Sequence, residues 1–320
     1  MPELPEVETV RAGLESLVAG AVIADVDVRR DSCVRLLPGG KHEFAAAVVG
    51  QRIDEIARRG KYMWMALGPA DKHSDPGSQP PREALSIHLG MSGQFRVHQG
   101  PWADAPAPHS HCRTRLALRA AHGDQLTADF LDQRTFGYLH AERMAPIDDD
   151  WPAGTGTRWP LLPASVAHIG RDALDPHLDV ERAAASWRRG SRGIKQLLLD
   201  QTLVSGIGNI YADEALWAAR VHPERPAHSV TYARAHGLLA AARTVMTSAL
   251  AQGGTSFDAL YVNVNGESGY FSRSLEAYGR GGEPCSRCGS PLSRASIGGR
   301  ASHWCARCQR RWSPRAQGSI

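Results

Sequence analysis

The sequence predicts a multidomain α+β chain: a β-sandwich behind an N-terminal helix, then a helical domain, then a small metal-held unit. Three observations carry this. Apolar residues alternate with a period of two through much of 21–141, and the pattern turns helical beyond residue 164. Cys285, Cys288, Cys305 and Cys308 form two C-x2-C pairs separated by 16 residues. A length of 320 residues suits two domains and a small third unit.

Taken in order, Val7, Val10, Leu14, Leu17 and Val18 share one face of a first helix, with Pro5 suited to its first turn and Gly20 to its stop. Alternation then marks strands at Val22-x-Ala24-x-Val26-x-Val28, Tyr62-x-Trp64-x-Ala66, Leu85-x-Ile87-x-Leu89, Phe95-x-Val97 and Leu116-x-Leu118. Many short strands separated by Gly and Pro predict a sandwich or barrel. Two stretches rich in Pro, Asp, Ser, Gly or Ala, 68–83 and 100–110, read as surface loops. Four prolines in 146–164 mark a linker. Beyond it, helices are predicted at 194–203, 210–219 and 229–252, with Ser205-Gly206-Ile207-Gly208-Asn209 as the turn between the first two. The expected division is 1–145 for the sheet domain, 146–164 for the linker, 165–278 for the helical domain and 279–320 for the metal-held unit.

The formal net charge is only +4, but it is uneven: residues 280–320 carry eight arginines against Glu283, a balance of +7 that leaves −3 for the first 279 residues. A short cationic C-terminal unit follows a body that is not basic, which points to a polyanion partner for that unit. Two C-x2-C hooks close a tetrahedral thiolate shell around one Zn²⁺, with no open position for chemistry, so the ion is structural. A pair of disulfides is the alternative, and it belongs to exported chains. Four thiolates with Zn²⁺ leave the unit at +5. No apolar run approaches the roughly 20 residues a bilayer requires, and Met1-Pro2-Glu3 does not open a signal peptide. The expectation is a soluble, unexported protein.

Two places carry chemistry on physical grounds. A small second residue permits removal of Met1, exposing Pro2 as a secondary amine. An α-amino group titrates near 7.7–8.0 and so is partly neutral and nucleophilic near neutral pH. Its attack on an aldehyde-level carbon gives an iminium ion, an electron sink for elimination, with Glu3 beside it as proton donor or relay. Asn209 follows Gly206 and Gly208 and precedes a helix, a position suited to capping that helix while exposed N–H groups face an anion.

The opening MPELPEVETV at 1–10 closely resembles that of the formamidopyrimidine-DNA glycosylase family, bacterial enzymes that excise oxidised purines. RRGKY at 58–62, HLGMSG at 88–93, DQRTFG at 132–137, DQTLVSGIGNIYADE at 200–214, GYF at 269–271, YGRGGEPC at 278–285 and GGRASHWCARCQ at 298–309 follow in the family's order. The resemblance spans essentially the whole chain. It implies an N-terminal β-sandwich, a helix-two-turns-helix domain and a zinc finger.

The same resemblance implies roles. Pro2 displaces the base at C1′ and forms a Schiff base, and Glu3 protonates the sugar ring oxygen. Lys61 assists β-elimination, and Arg300 grips phosphates and assists δ-elimination. Glu6 matches a second early glutamate, for which compensation of the helix dipole is the plain alternative. Met91, Arg134 and Phe136 fill the gap left by an extruded base, with Phe136 as wedge and Arg134 facing the orphaned cytosine. His109, or its neighbour His111, touches DNA, as do Lys195, Asn209 and Tyr270; Arg189 and Arg192 align loosely with phosphate contacts. Gln133 and Thr135 depart from the commoner DPRRFG. The implied partner is damaged double-stranded DNA, with no membrane, a monomeric state and a cytoplasmic, nucleoid-associated location. Met91 within HLGM favours oxidised purines over the pyrimidine lesions of an endonuclease VIII-like enzyme. A non-catalytic damaged-DNA-binding protein and a zinc-ribbon scaffold are the rivals from other classes.

Overall fold

A computed structural model describes residues 2–70, 79–120, 122–254 and 274–314. The chain divides into two compact units, Met1–Ile169 with Leu250–Ser272, and Gly170–Ala249 with Arg273–Ile320. The class is α+β: a sheet unit, then helices with a C-terminal β-hairpin.

The first unit opens with α1 (Leu4–Val18), whose Val7, Val10, Leu14 and Val18 enter the core as their spacing predicts. Nine strands follow, β1 (Val22–Val28), β2 (Gln51–Arg59), β3 (Tyr62–Pro69), β4 (Glu83–His88), β5 (Gly93–Gln99), β6 (Cys112–Arg119), β7 (Gln125–Asp132), β8 (Tyr138–Pro146) and β9 (Leu161–Pro163). They form one antiparallel sheet in the order β5-β7-β6-β1-β2-β3-β4-β8-β9. That order cannot be flat. β4 and β5 hold the seventh and first places, roughly 29 Å apart at about 4.8 Å per strand, yet the link from His88 to Gly93 reaches at most roughly 18 Å. β7 and β8, in the second and eighth places, are likewise joined by only 133–137. The sheet therefore folds back on itself. The fold line is β1–β2, where a single register pair, Val22↔Arg52, connects the halves. Side chains from both halves, including Ile23, Ile56, Met65, Phe95 and Phe130, share one core with α1. The topology brings the β4–β5 and β7–β8 turns together.

Two local features differ from the sequence-based expectation. A helix α2 (Gly40–Val48), which buries Phe44 and Val48, interrupts the period-two stretch. The segment read as a linker is built into the sheet unit: β9 pairs with β8, and Arg59 donates to the carbonyls of Ala153 (2.7 Å) and Ile169 (3.2 Å). Prolines leave such a segment extended but do not stop it from pairing at an edge. Within 100–110 the chain makes one 3-10 turn, Trp102–Asp104, and Arg115 donates to the carbonyl of Pro106 at 2.9 Å.

The second unit holds α3 (Val180–Ser186), α4 (Ile194–Leu198), α5 (Asn209–Ala218), α6 (Tyr232–Ala251) and the hairpin β10 (Ser293–Ile297) and β11 (Arg300–Trp304). The helix expected at 194–203 stops at Leu198. Asp200 Oδ1 takes the Thr202 N–H (3.2 Å) and hydroxyl (2.7 Å), a local turn that competes with helix continuation. Gln201 then staples the next turn, donating to the carbonyls of Leu199 and Ile207 and accepting from the Gly206 N–H. Among the described residues no helix is long and apolar enough to cross a membrane.

Candidate active site and nucleic-acid interface

In the first unit, Pro2 is buried and Glu3 is 2% exposed at the start of α1. Glu6 Oε2 accepts the Glu3 N–H at 2.8 Å, and the Glu3 side chain in turn accepts the Glu6 N–H. Glu6 is thus the residue that holds Glu3, a more specific role than dipole compensation. Glu8, one turn on, receives Arg58 Nε at 2.8 Å, and Arg58 Nη1 donates to the Gly60 carbonyl at 3.1 Å. Through this pair α1 holds the β2–β3 turn that carries Lys61, which is 8% exposed. The arginines of RRGKY therefore have structural partners: Arg58 ties Lys61 to the N-terminal helix, and Arg59 ties β2 to the chain near Ala153 and Ile169.

Met91, Arg134 and Phe136 meet on the two turns that the folded sheet brings together. Asp132, 1% exposed, locks both. Its Oδ1 accepts from the Ser92 hydroxyl (2.6 Å) and the Arg134 N–H (3.2 Å), and its Oδ2 accepts from the Gly137 N–H (2.7 Å). Gly90 has φ +59°, and a Cβ there would lie 2.5 Å from the Gly137 nitrogen, so only glycine lets the turns approach this closely. Arg35 donates to the carbonyls of Phe136 (3.0 Å) and Gly137 (2.8 Å). Two large apolar side chains are left in solvent, Met91 at 40% and Phe136 at 56% exposure, with Arg134 Nη1 3.7 Å from Met91 Sδ. Apolar groups held rigidly outward are a surface awaiting a partner. Thr135 takes φ +57°, an uncommon conformation for a β-branched residue, between the two side chains presented.

His88 was not singled out by the sequence, although it opens HLGMSG. It pairs across the sheet with Tyr62 and Tyr138, with ring centroids 4.9 and 5.4 Å away. Burial, then the charges of Lys61 and Arg35, lowers its pKa to about 4. The ring is therefore neutral at physiological pH, and its Nδ1 accepts the Gly90 N–H at 3.1 Å. Because the folded pKa lies below the ordinary value near 6.5, the unfolded chain takes up the proton first as pH falls. His88's contribution is intact above about pH 6.5 and declines toward pH 4, by up to about 3 kcal/mol. Urea melts at pH 7 and pH 5 should show His88→Gln losing less stability over that interval than the wild type; equal losses would assign the slope to other groups.

His109 is exposed in the β5–β6 loop. Its Nδ1 accepts the His111 N–H at 3.1 Å, and the two rings stand 5.1 Å apart, so either imidazole is available to a ligand. Tyr270 lies outside the described residues, as does the whole of 256–270.

The second unit gathers Lys195, Asn209, Arg300 and the cysteines. Two expectations change here. Gly208, not Asn209, is the N-cap of α5, and Asn209 Nδ2 donates at 2.9 Å to the Ala301 carbonyl on the hairpin. Lys195, expected on DNA or in solvent, is 1% exposed. Its Nζ lies 2.6 Å from Asp213 Oδ1, 2.7 Å from Ser302 Oγ and 3.1 Å from the Ala301 carbonyl. Sequence pattern shows a lysine on a helix; the carboxylate that buries it is 18 residues away and the hairpin 106. Arg300 is exposed beside a cleft of about 310 Å³ that it lines with Arg192, Gln196, Asp200 and Gly298. Arg192 pairs with Asp200 at 3.3 Å.

The Sγ atoms of Cys285, Cys288, Cys305 and Cys308 all lie within 4.8 Å of one another, with Cys288 and Cys305 at 3.5 Å. A tetrahedral Zn²⁺ with bonds near 2.3 Å places sulfurs about 3.8 Å apart, so this donor set fits one structural zinc. Without a metal the set titrates unevenly: the backbone N–H of Ser290 chiefly lowers the Cys288 pKa, to about 6, while burial pushes Cys308 up to about 12, and a bound cation would favour the thiolate at all four.

Comparison with known proteins finds three domain matches along the chain. The formamidopyrimidine-DNA glycosylase N-terminal domain matches residues 1–139, the H2TH domain of the same proteins matches 169–259, and the zinc finger found in FPG and IleRS matches 282–311. A formamidopyrimidine-DNA glycosylase of Thermobifida fusca is 49% identical over 315 residues, covering 97% of this chain and 98% of that one. Its counterpart in a Nocardioides species is 52% identical over 310 residues, covering 97% and 94%. Among solved structures, the MutM (Fpg) protein of Thermus thermophilus has TM-score 0.73 and 34% identity, with 96% of this chain and 98% of that one covered. Lactococcus lactis Fpg in complex with abasic-site DNA has TM-score 0.75 and 29% identity, with 97% and 100% covered.

Proposed function

The chain belongs to the formamidopyrimidine-DNA glycosylase family, and from that premise we propose how its residues carry out excision on oxidised purines opposite cytosine. It is a DNA glycosylase of base excision repair with associated lyase activity, it binds damaged DNA, and it holds one structural Zn²⁺.

Pro2, freed of Met1, attacks C1′ of the lesion nucleotide with its lone pair. The N-glycosidic bond breaks, the base leaves, and the sugar opens as a Pro2 iminium once Glu3 has protonated the ring oxygen. The iminium draws electrons from C2′, so the 3′ phosphate leaves by β-elimination with Lys61 assisting. The 5′ phosphate leaves by δ-elimination with Arg300 assisting. Phe136 wedges the stack, Met91 fills the vacated space and Arg134 meets the estranged cytosine. Asn209 and His109 add phosphate contacts, with Tyr270 among the further DNA contacts. The zinc shapes the finger and supplies no reactive group. We further propose a monomer working in the cytoplasm, built as a catalytic sheet domain, a helix-two-turns-helix domain and a finger.

The observation that carries this reading is the trio Met91, Arg134 and Phe136, pinned outward by Asp132. An exposed wedge locked by a buried carboxylate fits an extruding enzyme better than a passive binder. Borohydride reduction during incubation with an 8-oxoguanine:cytosine duplex is expected to trap a covalent adduct, and a thymine glycol duplex is expected to trap more slowly. No adduct on either would leave a damage-binding protein, and faster trapping on thymine glycol would make it a pyrimidine-lesion enzyme.

A further inference from the structure

Two adjacent carboxylates on α5, Asp213 and Glu214, are 0% and 3% exposed and face different parts of the finger. Asp213 Oδ1 holds Lys195 Nζ at 2.6 Å, while Oδ2 accepts the His303 N–H at 2.8 Å and stands 3.1 Å from His303 Nδ1. Glu214 accepts three successive backbone N–H groups, from Glu276 (3.0 Å), Ala277 (2.8 Å) and Tyr278 (2.8 Å), on the chain entering the finger. Tyr278 then meets the His303 ring at 5.2 Å. Lys195 joins the arrangement: its ammonium reaches Asp213, Ser302 Oγ and the Ala301 carbonyl. Asn209 grips the same Ala301 carbonyl.

Apart from the Lys195–Asp213 pair itself, these bonds fall on residues 301–303, just after Arg300, or on residues 276–278 at the finger's entry. The hairpin tip also rests on α4, where a Cβ on Gly298 would lie 3.1 Å from Gln196 Nε2. The width of the cleft beside Arg300 is therefore set by α4, α5 and this buried charge pair, not by the finger alone.

We infer that Asp213 and Glu214 are positioning residues of the phosphate clamp: they fix the finger on α5, with Lys195 acting through Asp213 rather than on DNA, and so place Arg300 for δ-elimination. This rests on the reading of Arg300 given above. Asp213 is too deep to touch substrate, and its partners account for both its oxygens. A buried pair of this kind adds little net stability compared with apolar replacements, but it fixes geometry.

The test is the double variant Lys195→Met/Asp213→Asn in the full zinc-loaded protein. It removes both charges together and leaves an acceptor for the His303 N–H, avoiding an orphaned buried ion. On a pre-formed abasic-site duplex in single turnover, the ratio of δ- to β-elimination product is expected to fall about tenfold or more. Borohydride trapping, which reads Pro2, should stay within about threefold of wild type, and zinc should remain at one per chain. An unchanged product ratio with unchanged affinity for the duplex overturns the inference. If the double variant loses zinc or melts early, Ser302→Ala carries the test, since it removes one Lys195 partner without disturbing a charge. A shift in the same direction supports the inference, and an unmoved ratio overturns it. A wild type that neither traps nor nicks would instead overturn the enzymatic reading, and duplex affinity of the variants would still report on the clamp.

Discussion

Pro2→Gly is expected to lower borohydride-trapped adduct and strand incision by about 10³-fold or more while leaving the protein folded and able to bind damaged duplex. A factor of 10³ corresponds to about 4 kcal/mol of transition-state stabilisation. The physical reason lies in the amine. A secondary amine passes straight to a charged iminium with no N–H to lose, and the proline ring fixes the direction of its lone pair. Glycine offers a freely rotating primary amine. The substitution leaves the local fold standing, because Pro2 precedes α1 and the capping box is built by Glu3 and Glu6. Glu3→Gln separates the steps. Glutamine still accepts the Glu6 N–H but has no proton to give the sugar oxygen, so base excision should collapse while cleavage of a pre-formed abasic site suffers less. Trapping at wild-type level by Pro2→Gly would remove Pro2 from the mechanism.

The parts of this site legible in the sequence were those in which the chemistry sits within a few consecutive residues. The cysteine hooks are of that kind, and α1 announced itself through apolar spacing with Pro5 in its first turn and Gly20 after its end. What stayed hidden depends on partners distant in sequence. Asp132 reads as the end of a strand, yet it ties Ser92, 40 residues earlier, to the turn that presents Phe136. Arg58 looks like part of a basic run until Glu8, 50 residues away, neutralises it. Lys195 could be read as a surface cation because nothing local reveals Asp213 and Ser302 around it. α2 and β9 were missed for a related reason: a short helix inside a strand-rich stretch, and a three-residue strand beside prolines, are decided by the sheet they cover.

Removing the metal should be the other large effect. The finger's own core is small: Cys285, Leu292 and Cys305, packed with Trp217 and Ala277. Two of those five are metal-binding cysteines, so without a cation the same cluster must hold mutually repelling thiolates or bury thiols with no common partner. Structural zinc contributes on the order of 10 kcal/mol to the folding of comparable small units, more than so few apolar side chains supply. Chelation, or Cys305→Ser, is therefore expected to release β10 and β11, and with them Arg300 and the Ala301 carbonyl that Asn209 and Lys195 hold. Duplex affinity should fall by about 10²-fold or more, and the dependence of affinity on salt should become shallower, because fewer phosphates are neutralised. The sheet unit holds its own core of α1 and both halves of the sheet, so its melting transition should persist after the finger is lost. Zinc released by a thiol-blocking reagent should amount to one ion per chain and parallel the loss of affinity. A metal-free protein that still binds and incises like the wild type would show the finger holding itself together, and the +7 charge of residues 280–320 would then act without the geometry that zinc provides.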